Sequence, residues 1–191
     1  MLEHNYSKFE PIETERLIIR PLSIDDLLPL HRIRSDKNIN RYIERENEID
    51  IKETKEFIQK IKELTENNTC IYWAIIFRNY NLLIGTICFW NFNFNIEEAE
   101  IGYELLPEFQ GKGIMLEATN GVIDFGFEIL KLKSISAFVS EKNIKSIALL
   151  EKFHFKIFPN NLSDKSEVGK LKEMIRFKLE EENYRRNFKI A

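Results

Sequence analysis

Apolar positions along this 191-residue chain recur either every second residue or every three to four residues, and these two spacings predict strands and helices in mixed order. A strand is predicted at about 15–21, and a helix follows from Ser23, whose hydroxyl can cap the first turn. A second helix is predicted from Asp50, because apolar residues recur at helical spacing after it; they are Ile51, Phe57, Ile58, Ile61 and Leu64.

The middle of the chain is predicted to form a hairpin and then a further strand. Apolar runs at 71–77 and 82–90 flank the polar residues 78–81, which is typical of a β-hairpin. The asparagine-rich stretch 91–95 is expected to end the second run in a turn. Residues 99–105 alternate and are expected to pair next to the hairpin.

The second half of the chain continues the mixed pattern. A helix is predicted from 114 to about 130, with a buried face formed by Ile114, Ala118, Val122, Phe125 and Ile129. It is followed by a strand at 134–139 and a helix at 143–152 that leads to residues 153–158. A polar loop to 170, a strand at 174–179 and a charged tail complete the chain. The order predicts a mixed α/β fold, and the length suits one domain over residues 1–191.

Two glycines lie between the predicted strand 99–105 and the helix that follows it. Gly111 and Gly113 have no β-carbon, so the backbone can turn tightly and approach a ligand, and the positive end of the helix favours an anion. The dinucleotide fingerprint requires a third glycine where this chain has Leu116, and the Walker pattern lacks its Gly-Lys-Ser/Thr. A phosphate-binding loop over 110–115 is the remaining interpretation.

Four stretches of the sequence resemble motifs of one enzyme family. Gln110-Gly111-Lys112-Gly113-Ile114-Met115 resembles the Gln/Arg-x-x-Gly-x-Gly/Ala pyrophosphate loop of the GNAT acetyltransferases, with methionine at the last position. The segment 134–155 resembles their fifth strand, Asn-x-x-Ser helix and aromatic ending, with His154 in place of glycine. The openings at 14–22 and 99–103 resemble the ribosomal-protein N-acetyltransferase-like branch. The resemblance covers roughly residues 10–180.

The resemblance implies a particular fold and cosubstrate. The family fold is a mostly antiparallel sheet of about seven strands, splayed between strands 4 and 5 and flanked by about four helices. Acetyl-CoA is the implied cosubstrate. Its pantetheine arm is expected to pair with the splayed strand near Leu105, and its pyrophosphate is expected on the N–H groups of Gln110, Gly111, Lys112, Gly113, Ile114 and Met115.

Amine acetylation needs an acceptor for the amine proton and a donor for the leaving thiolate. Alternation within 99–105 places Glu100, Gly102 and Glu104 on one face, and Glu100 is the candidate base; the alternative is an exposed carboxylate or an ion-pair partner. Many family members carry a tyrosine that protonates the thiolate at the position where this chain has Leu150, so Ser146 is the candidate acid. Ser146 could instead bond the helix backbone, and solvent could protonate the thiolate.

Two further residues in the motif region have simpler expected roles. Asn143 is expected to cap its helix and also to bond the pantetheine arm. His154 is expected in a turn or a packing role, because it replaces a structural glycine. The three histidines form no ligand cluster, and no metal is predicted.

Composition narrows the class of protein. A net charge of −3 gives no pull toward nucleic acid or an anionic membrane. The N-terminus is polar and acidic rather than a signal sequence, and no apolar run is long enough to span a bilayer. Cys70 and Cys88 lie in apolar segments and are expected to be free core thiols. A cytoplasmic monomer or homodimer is expected.

The acceptor amine is the least defined part of the prediction. Four carboxylates between the first two helices could attract a cationic amine, or could simply be solvated; they are Glu44, Glu46, Glu48 and Asp50. The branch resemblance favours a protein N-terminal α-amine as substrate. A polyamine or an amine antibiotic is the close alternative, and a non-catalytic coenzyme-binding protein is the alternative from another class.

Overall fold

The computed structural model describes residues 9–43, 45, 50–159 and 174–188, and the strands of this part form one sheet. They are β1 (Ile12–Glu13), β2 (Leu17–Pro21), β3 (Ile71–Phe77), β4 (Leu82–Asn93), β5 (Glu98–Leu105), β6 (Ser134–Ser140), β7 (Lys156–Ile157) and β8 (Met174–Glu180). Their order across the sheet is β1-β2-β3-β4-β5-β6-β8-β7. Every neighbouring pair is antiparallel except β5 and β6, which are parallel.

The helices cover both faces of this sheet. They are α1 (Leu27–Arg34), α2 (Lys37–Asn40), α3 (Ile51–Glu66), α4 (Ile114–Glu128), α5 (Ile144–Lys152) and α6 (Glu181–Phe188). The first helix is preceded by a 3-10 turn, Ile24–Asp26, directly after Ser23. None of the helices in the described ranges is long and apolar enough to cross a membrane.

Hydrophobic residues of the sheet separate into two cores because successive strand residues point to opposite faces. The larger core joins the sheet to α4 and α5, and it includes Trp73, Phe89, Val122 and Leu150. The smaller core lies on the side of α1 and consists of Ile33, Ile39, Ala74, Ile76, Leu83 and Leu106. The mixed α/β prediction is confirmed, and the two faces are called the α4 face and the α1 face below.

Several predicted boundaries differ from the structure. The second hairpin strand continues to Asn93 through an irregular register after Trp90, so the turn lies beyond most of the asparagine-rich stretch. Residues 153–158 contribute only the two-residue strand β7, because Phe153 and Phe155 are core residues of the turn after α5. Ile129 was placed on the buried face of its helix, but it is 46% exposed, because α4 ends at Glu128.

The charged tail also differs from the prediction, because it forms α6. Tyr184 on α6 is 2% exposed, and its ring lies 5.1 Å from that of Phe127. The Tyr184 hydroxyl donates to Asp124 at 2.8 Å. These contacts fix the tail against α4, and they explain why a segment that is polar along most of its length is helical.

The sheet splays where the resemblance predicted it, because the family's strands 4 and 5 are β5 and β6 here. β5 pairs with β6 only from Glu98 to Glu100, although both strands continue beyond that point. Each strand follows its other neighbour, since β5 is paired with β4 to Leu105 and β6 with β8 along its whole length. The N–H of Leu106 bonds to β4, so alternation turns the backbone groups of Tyr103 and Leu105 toward the gap.

Candidate active site

The glycine loop has the backbone conformation that its sequence predicts. Gly111 and Gly113 have φ of +72° and +73°, in the left-handed region that favours glycine. Gly113 is the N-cap of α4, whose first-turn N–H groups lack partners within the helix. The Ile114 side chain is buried in the larger core and Met115 packs against it, so the side chains after Gly113 turn inward. The loop can therefore present backbone N–H groups to an anion.

Gln110 connects this loop to two other elements. Its side-chain Nε2 donates to the carbonyl of Leu105 at 2.9 Å, and its Oε1 accepts from Lys145 Nζ at 2.9 Å. The end of β5, the loop and the start of α5 are thereby held together. One of the gap-facing carbonyls of β5 is already bonded, and Leu105 itself is buried.

A cavity of about 770 Å³ opens beside Gly113. It lies between the start of β2, the outer side of α4 and the end of α5, with Arg16, Asn120 and Lys152 among its polar lining residues. Its size is within the range of small-molecule sites. The carboxylates of Glu13, Glu117 and Asp124 also line the cavity, and Arg16 is paired with Glu117.

Ser146 lies across the gap from β5. The Asn143 side chain accepts the Ser146 backbone N–H at 3.1 Å, which confirms that Asn143 caps α5. The Ser146 hydroxyl forms a 2.6 Å hydrogen bond with the hydroxyl of Tyr103 on β5. Burial raises the pKa of Tyr103 to about 12, against the opposing effect of the bond to Ser146. A pair of neutral hydroxyls thus spans the gap on the α4 face.

Three carboxylates lie on the opposite, α1 face of β5, and each has a different setting. Glu98 is bound by Ser134 Oγ at 2.8 Å and by the cations of Arg176 and Lys178. Glu104 forms a bidentate pair with Arg45, at 3.0 and 2.9 Å.

Glu100 occupies the last position at which β5 pairs with β6, and its carboxylate accepts from the neutral side-chain amide of Asn91 at 3.0 Å. Next to Glu100 on this face, Gly102 lies over Cys88. A β-carbon on Gly102 would be 3.2 Å from the Cys88 sulfur, so the small residue matches a crowded site. Cys70 and Cys88 are both free and buried, as predicted, and burial raises the pKa of each thiol.

His154 has φ of +61°, which confirms its predicted place in a turn. Its backbone N–H bonds to the Glu151 carbonyl at the end of α5.

Sequence reasoning missed two residues of the site. The bond of Tyr103 to Ser146, 43 residues later, is not visible in the sequence. Arg45 lies inside the acidic stretch and brings a cation to the α1 face. Asp50 starts α3 as predicted, because its side chain accepts the Lys52 N–H at 2.9 Å. The other carboxylates of this stretch, Glu44, Glu46 and Glu48, lie outside the described residues.

Comparison with known proteins gives one consistent family. The profile of the acetyltransferase (GNAT) domain matches residues 16–156. An uncharacterized N-acetyltransferase of Bacillus subtilis, YoaA, is 35% identical over 147 residues, which are 77% of this chain and 83% of the relative.

Two solved structures share the fold. The spermidine N-acetyltransferase of Vibrio cholerae, in complex with CoA and spermine, has a TM-score of 0.75 and 24% identity, covering 90% of this chain and 99% of that one. A ribosomal-protein alanine acetyltransferase from Vibrio fischeri has a TM-score of 0.74 and 23% identity, covering 92% and 99%. Together with the match of the family profile, these findings show that the chain belongs to the GNAT acetyltransferase family, as an acetyl-CoA-dependent N-acetyltransferase.

Proposed function

We propose that the protein acetylates a protein N-terminal α-amine of the ribosomal-protein type, by direct attack of the amine with Glu100 as the base. The observation that carries the proposal is the position of Glu100. It lies at the closed end of the gap between β5 and β6, on the face opposite to the one where Tyr103 and Ser146 meet. An amine arriving from the α1 face and a thioester held in the gap would meet beside this carboxylate.

The residues around the gap fit acetyl-CoA. The pyrophosphate is proposed to bind the backbone N–H groups of the loop 110–115, where two glycines hold the left-handed conformation. The pantetheine amides are proposed to pair with gap-facing groups of Tyr103 and Leu105, and the Asn143 side chain to bond the arm. Within the cavity beside Gly113, Lys152 is proposed to meet the nucleotide end. When bound, the coenzyme supplies an activated acetyl group as a thioester.

The other two carboxylates on the same face are already engaged in ion pairs. Glu104 is paired with Arg45, and Glu98 lies between Arg176 and Lys178. Glu100 stands at the last position of the pairing between β5 and β6, where the gap opens. We therefore assign to Glu100 the removal of the amine proton, directly or through a water molecule.

Ser146 is proposed to assist departure of the thiolate. A thiol has a pKa of about 8.5. With Tyr103 at about 12, complete transfer of its proton to the thiolate would be uphill by roughly 5 kcal/mol, at about 1.4 kcal/mol for each pKa unit. The pair is better suited to donating a hydrogen bond. The Ser146 hydroxyl donates to the sulfur, the Tyr103 hydroxyl donates to Ser146, and solvent supplies the final proton.

Among the described residues, the charges on the α1 face support a peptide acceptor over a polyamine. Glu100 can attract one cationic centre, but the next carboxylate along the strand, Glu104, is already neutralised by Arg45. A polyamine carries further ammonium groups that need further carboxylates, whereas a peptide N-terminus carries one. Free buried thiols at Cys70 and Cys88 support a reducing compartment, and we propose the cytoplasm.

Thiol release from acetyl-CoA tests the acceptor class. The panel contains peptides beginning with alanine or serine, spermidine and an aminoglycoside. We expect peptide-dependent release; release with spermidine or the aminoglycoside alone would replace the peptide by a small amine.

Glu100→Gln tests the base in the same assay. A positioned base contributes about 100- to 10,000-fold. We expect kcat/KM at pH 7 to fall by about 100-fold or more, with CoA affinity unchanged and a smaller deficit at high pH, where the amine loses its proton unaided. The matched control is Glu97→Gln, which removes the same charge from the exposed turn before β5. Equal rates for the wild type and Glu100→Gln would remove Glu100 from the mechanism.

A further inference from the structure

A carboxylate in the first turn of α4 is tied to the start of β2. Glu117 accepts hydrogen bonds from the Thr14 hydroxyl at 2.5 Å, from the backbone N–H of Arg16 at 2.8 Å and from Arg16 Nε at 2.6 Å. Its side chain is 17% exposed. Burial raises the pKa of Glu117, but these hydrogen bonds and the charge of Arg16 outweigh it and lower the pKa, so the group is ionised near neutral pH.

The same guanidinium continues into the glycine loop. Arg16 Nη1 donates to the carbonyl of Lys112 at 3.0 Å, and Nη2 lies 3.6 Å from the place where a β-carbon of Gly113 would be. In a trans peptide the C=O and the following N–H point in opposite directions. Holding the Lys112 carbonyl against Arg16 therefore turns the Gly113 N–H away from Arg16, to the other side of the loop.

The charge of Glu117 makes this contact relevant to an anionic ligand. The positive end of α4 favours an anion. Glu117 already places one negative charge in the first turn of this helix, since its backbone N–H bonds to the carbonyl of the N-cap residue Gly113. A pyrophosphate on the loop would be repelled by an unpaired carboxylate in the first turn of the same helix. Arg16 neutralises that carboxylate and also fixes the loop peptide next to it.

We propose that Arg16 is a positioning residue for the coenzyme's pyrophosphate, which it serves by neutralising Glu117 and by holding the Lys112–Gly113 peptide in its binding orientation. The inference rests on the proposed function, because it takes the loop 110–115 as the pyrophosphate site. It adds a role for two residues outside that loop, 101 positions apart in the chain. Thr14 supports the arrangement by donating to Glu117, and its hydroxyl also accepts the backbone N–H of Leu17.

The test compares two acetyl donors, one with the phosphates and one without: acetyl-CoA and S-acetylpantetheine. Arg16→Gln is expected to raise the Kd for CoA and the KM for acetyl-CoA at least ten-fold, while the KM for S-acetylpantetheine changes less than two-fold. In Arg16→Gln/Glu117→Gln the repelling charge is gone but the Lys112 carbonyl still lacks Arg16, so affinity for CoA should recover in part, to a value between those of Arg16→Gln and the wild type. A purely structural role would weaken both donors together.

Arg78→Gln is the matched control for these variants. The side chain of Arg78 is 39% exposed, against 37% for Arg16. Like Arg16, it contacts the segment before β2, where it binds the Glu13 carboxylate and the Thr14 carbonyl. It removes the same charge without touching the loop, and we expect its CoA affinity to stay within two-fold of the wild type. A loss in Arg78→Gln equal to that in Arg16→Gln would reduce the effect to general electrostatics and overturn the proposal.

Glu117→Gln gives an independent measurement if Arg16→Gln does not fold. It keeps the guanidinium and removes the anion, so CoA should bind at least as tightly as in the wild type. Weaker CoA binding by Glu117→Gln, or no recovery in the double variant, would overturn the role of Arg16. Failure of the wild type itself to bind CoA would instead overturn the proposed loop function, and this inference with it.

Discussion

The bond between Tyr103 and Ser146 allows a quantitative test of how the leaving sulfur is stabilised. The two hydroxyl oxygens are 2.6 Å apart and connect β5 to α5 across the gap. Tyr103→Phe removes one hydroxyl and keeps the ring, whereas Ser146→Ala removes the group proposed to meet the sulfur. Because Tyr103 is proposed to act through Ser146, the two substitutions should not have additive effects.

The magnitudes follow from the kind of hydrogen bond lost. A bond between neutral groups contributes about 0.5–1.5 kcal/mol, and one to a charged group about 1.5–3 kcal/mol. With about 1.4 kcal/mol for each factor of ten, Tyr103→Phe should lower the single-turnover rate by about 2- to 13-fold. Ser146→Ala, which loses a bond to a developing thiolate, should lower it by about 13- to 160-fold. The double variant should match Ser146→Ala.

The assay is a single turnover of enzyme-bound acetyl-CoA with excess amine, followed by release of the thiol, so that product release does not hide the chemical step. Tyr184→Phe is the control, because Tyr184 is also buried and also loses a hydrogen bond to another element, to Asp124 at 2.8 Å. It should lower thermal stability and leave the rate unchanged. A double variant slower than Ser146→Ala by the full factor of Tyr103→Phe would refute the reasoning.

Two further predictions concern the sheet beneath the site. A β-carbon at Gly85 would clash with the backbone oxygen of Glu104. Gly85→Ala should therefore reduce the free energy of unfolding by about 1–3 kcal/mol or more, measured by urea denaturation, and an unchanged midpoint would contradict this geometry. Burial raises the pKa of Glu98, but the Ser134 hydroxyl and two cations outweigh burial and hold the pKa below 4.5. The ionised Glu98 therefore stabilises the fold fully above the pKa of the unfolded state, and this stabilisation is lost as pH falls through the pKa of the folded state. Urea midpoints from pH 6 to 3 should therefore fall less steeply in Glu98→Gln than in the wild type, and parallel curves would show that the Glu98 cluster does not contribute.

The sequence determined the features that depend on neighbouring residues. Gly111 and Gly113 are found in the left-handed conformation because only glycine adopts it without strain, so their identity already indicates the shape of the loop. Asn143 caps α5 through a bond that spans three residues. The strands and helices near the site were predicted for the same reason, since hydrophobic periodicity reflects burial along a single element.

Boundaries were less well determined, because periodicity does not show where an element stops. Ile129 continues the apolar spacing of α4 but follows its last residue, and the chain turns there so that Leu130 and Leu132 are buried instead. The second hairpin strand was ended too early for a similar reason. Its asparagines resemble a turn, although Asn93 is still paired with Glu98.

The tertiary structure alone decided which side chains act together. Tyr103 meets Ser146 only because β5 leaves β6 after Glu100, which opens a gap that α5 can reach across. Arg16 meets Glu117 only because β2 and the first turn of α4 lie side by side. The same applies to the three carboxylates of β5. Alternation places them on one face, but their partners from distant elements give each a different environment. Such pairs leave no local pattern, because the free energy that selects them comes from packing the whole sheet.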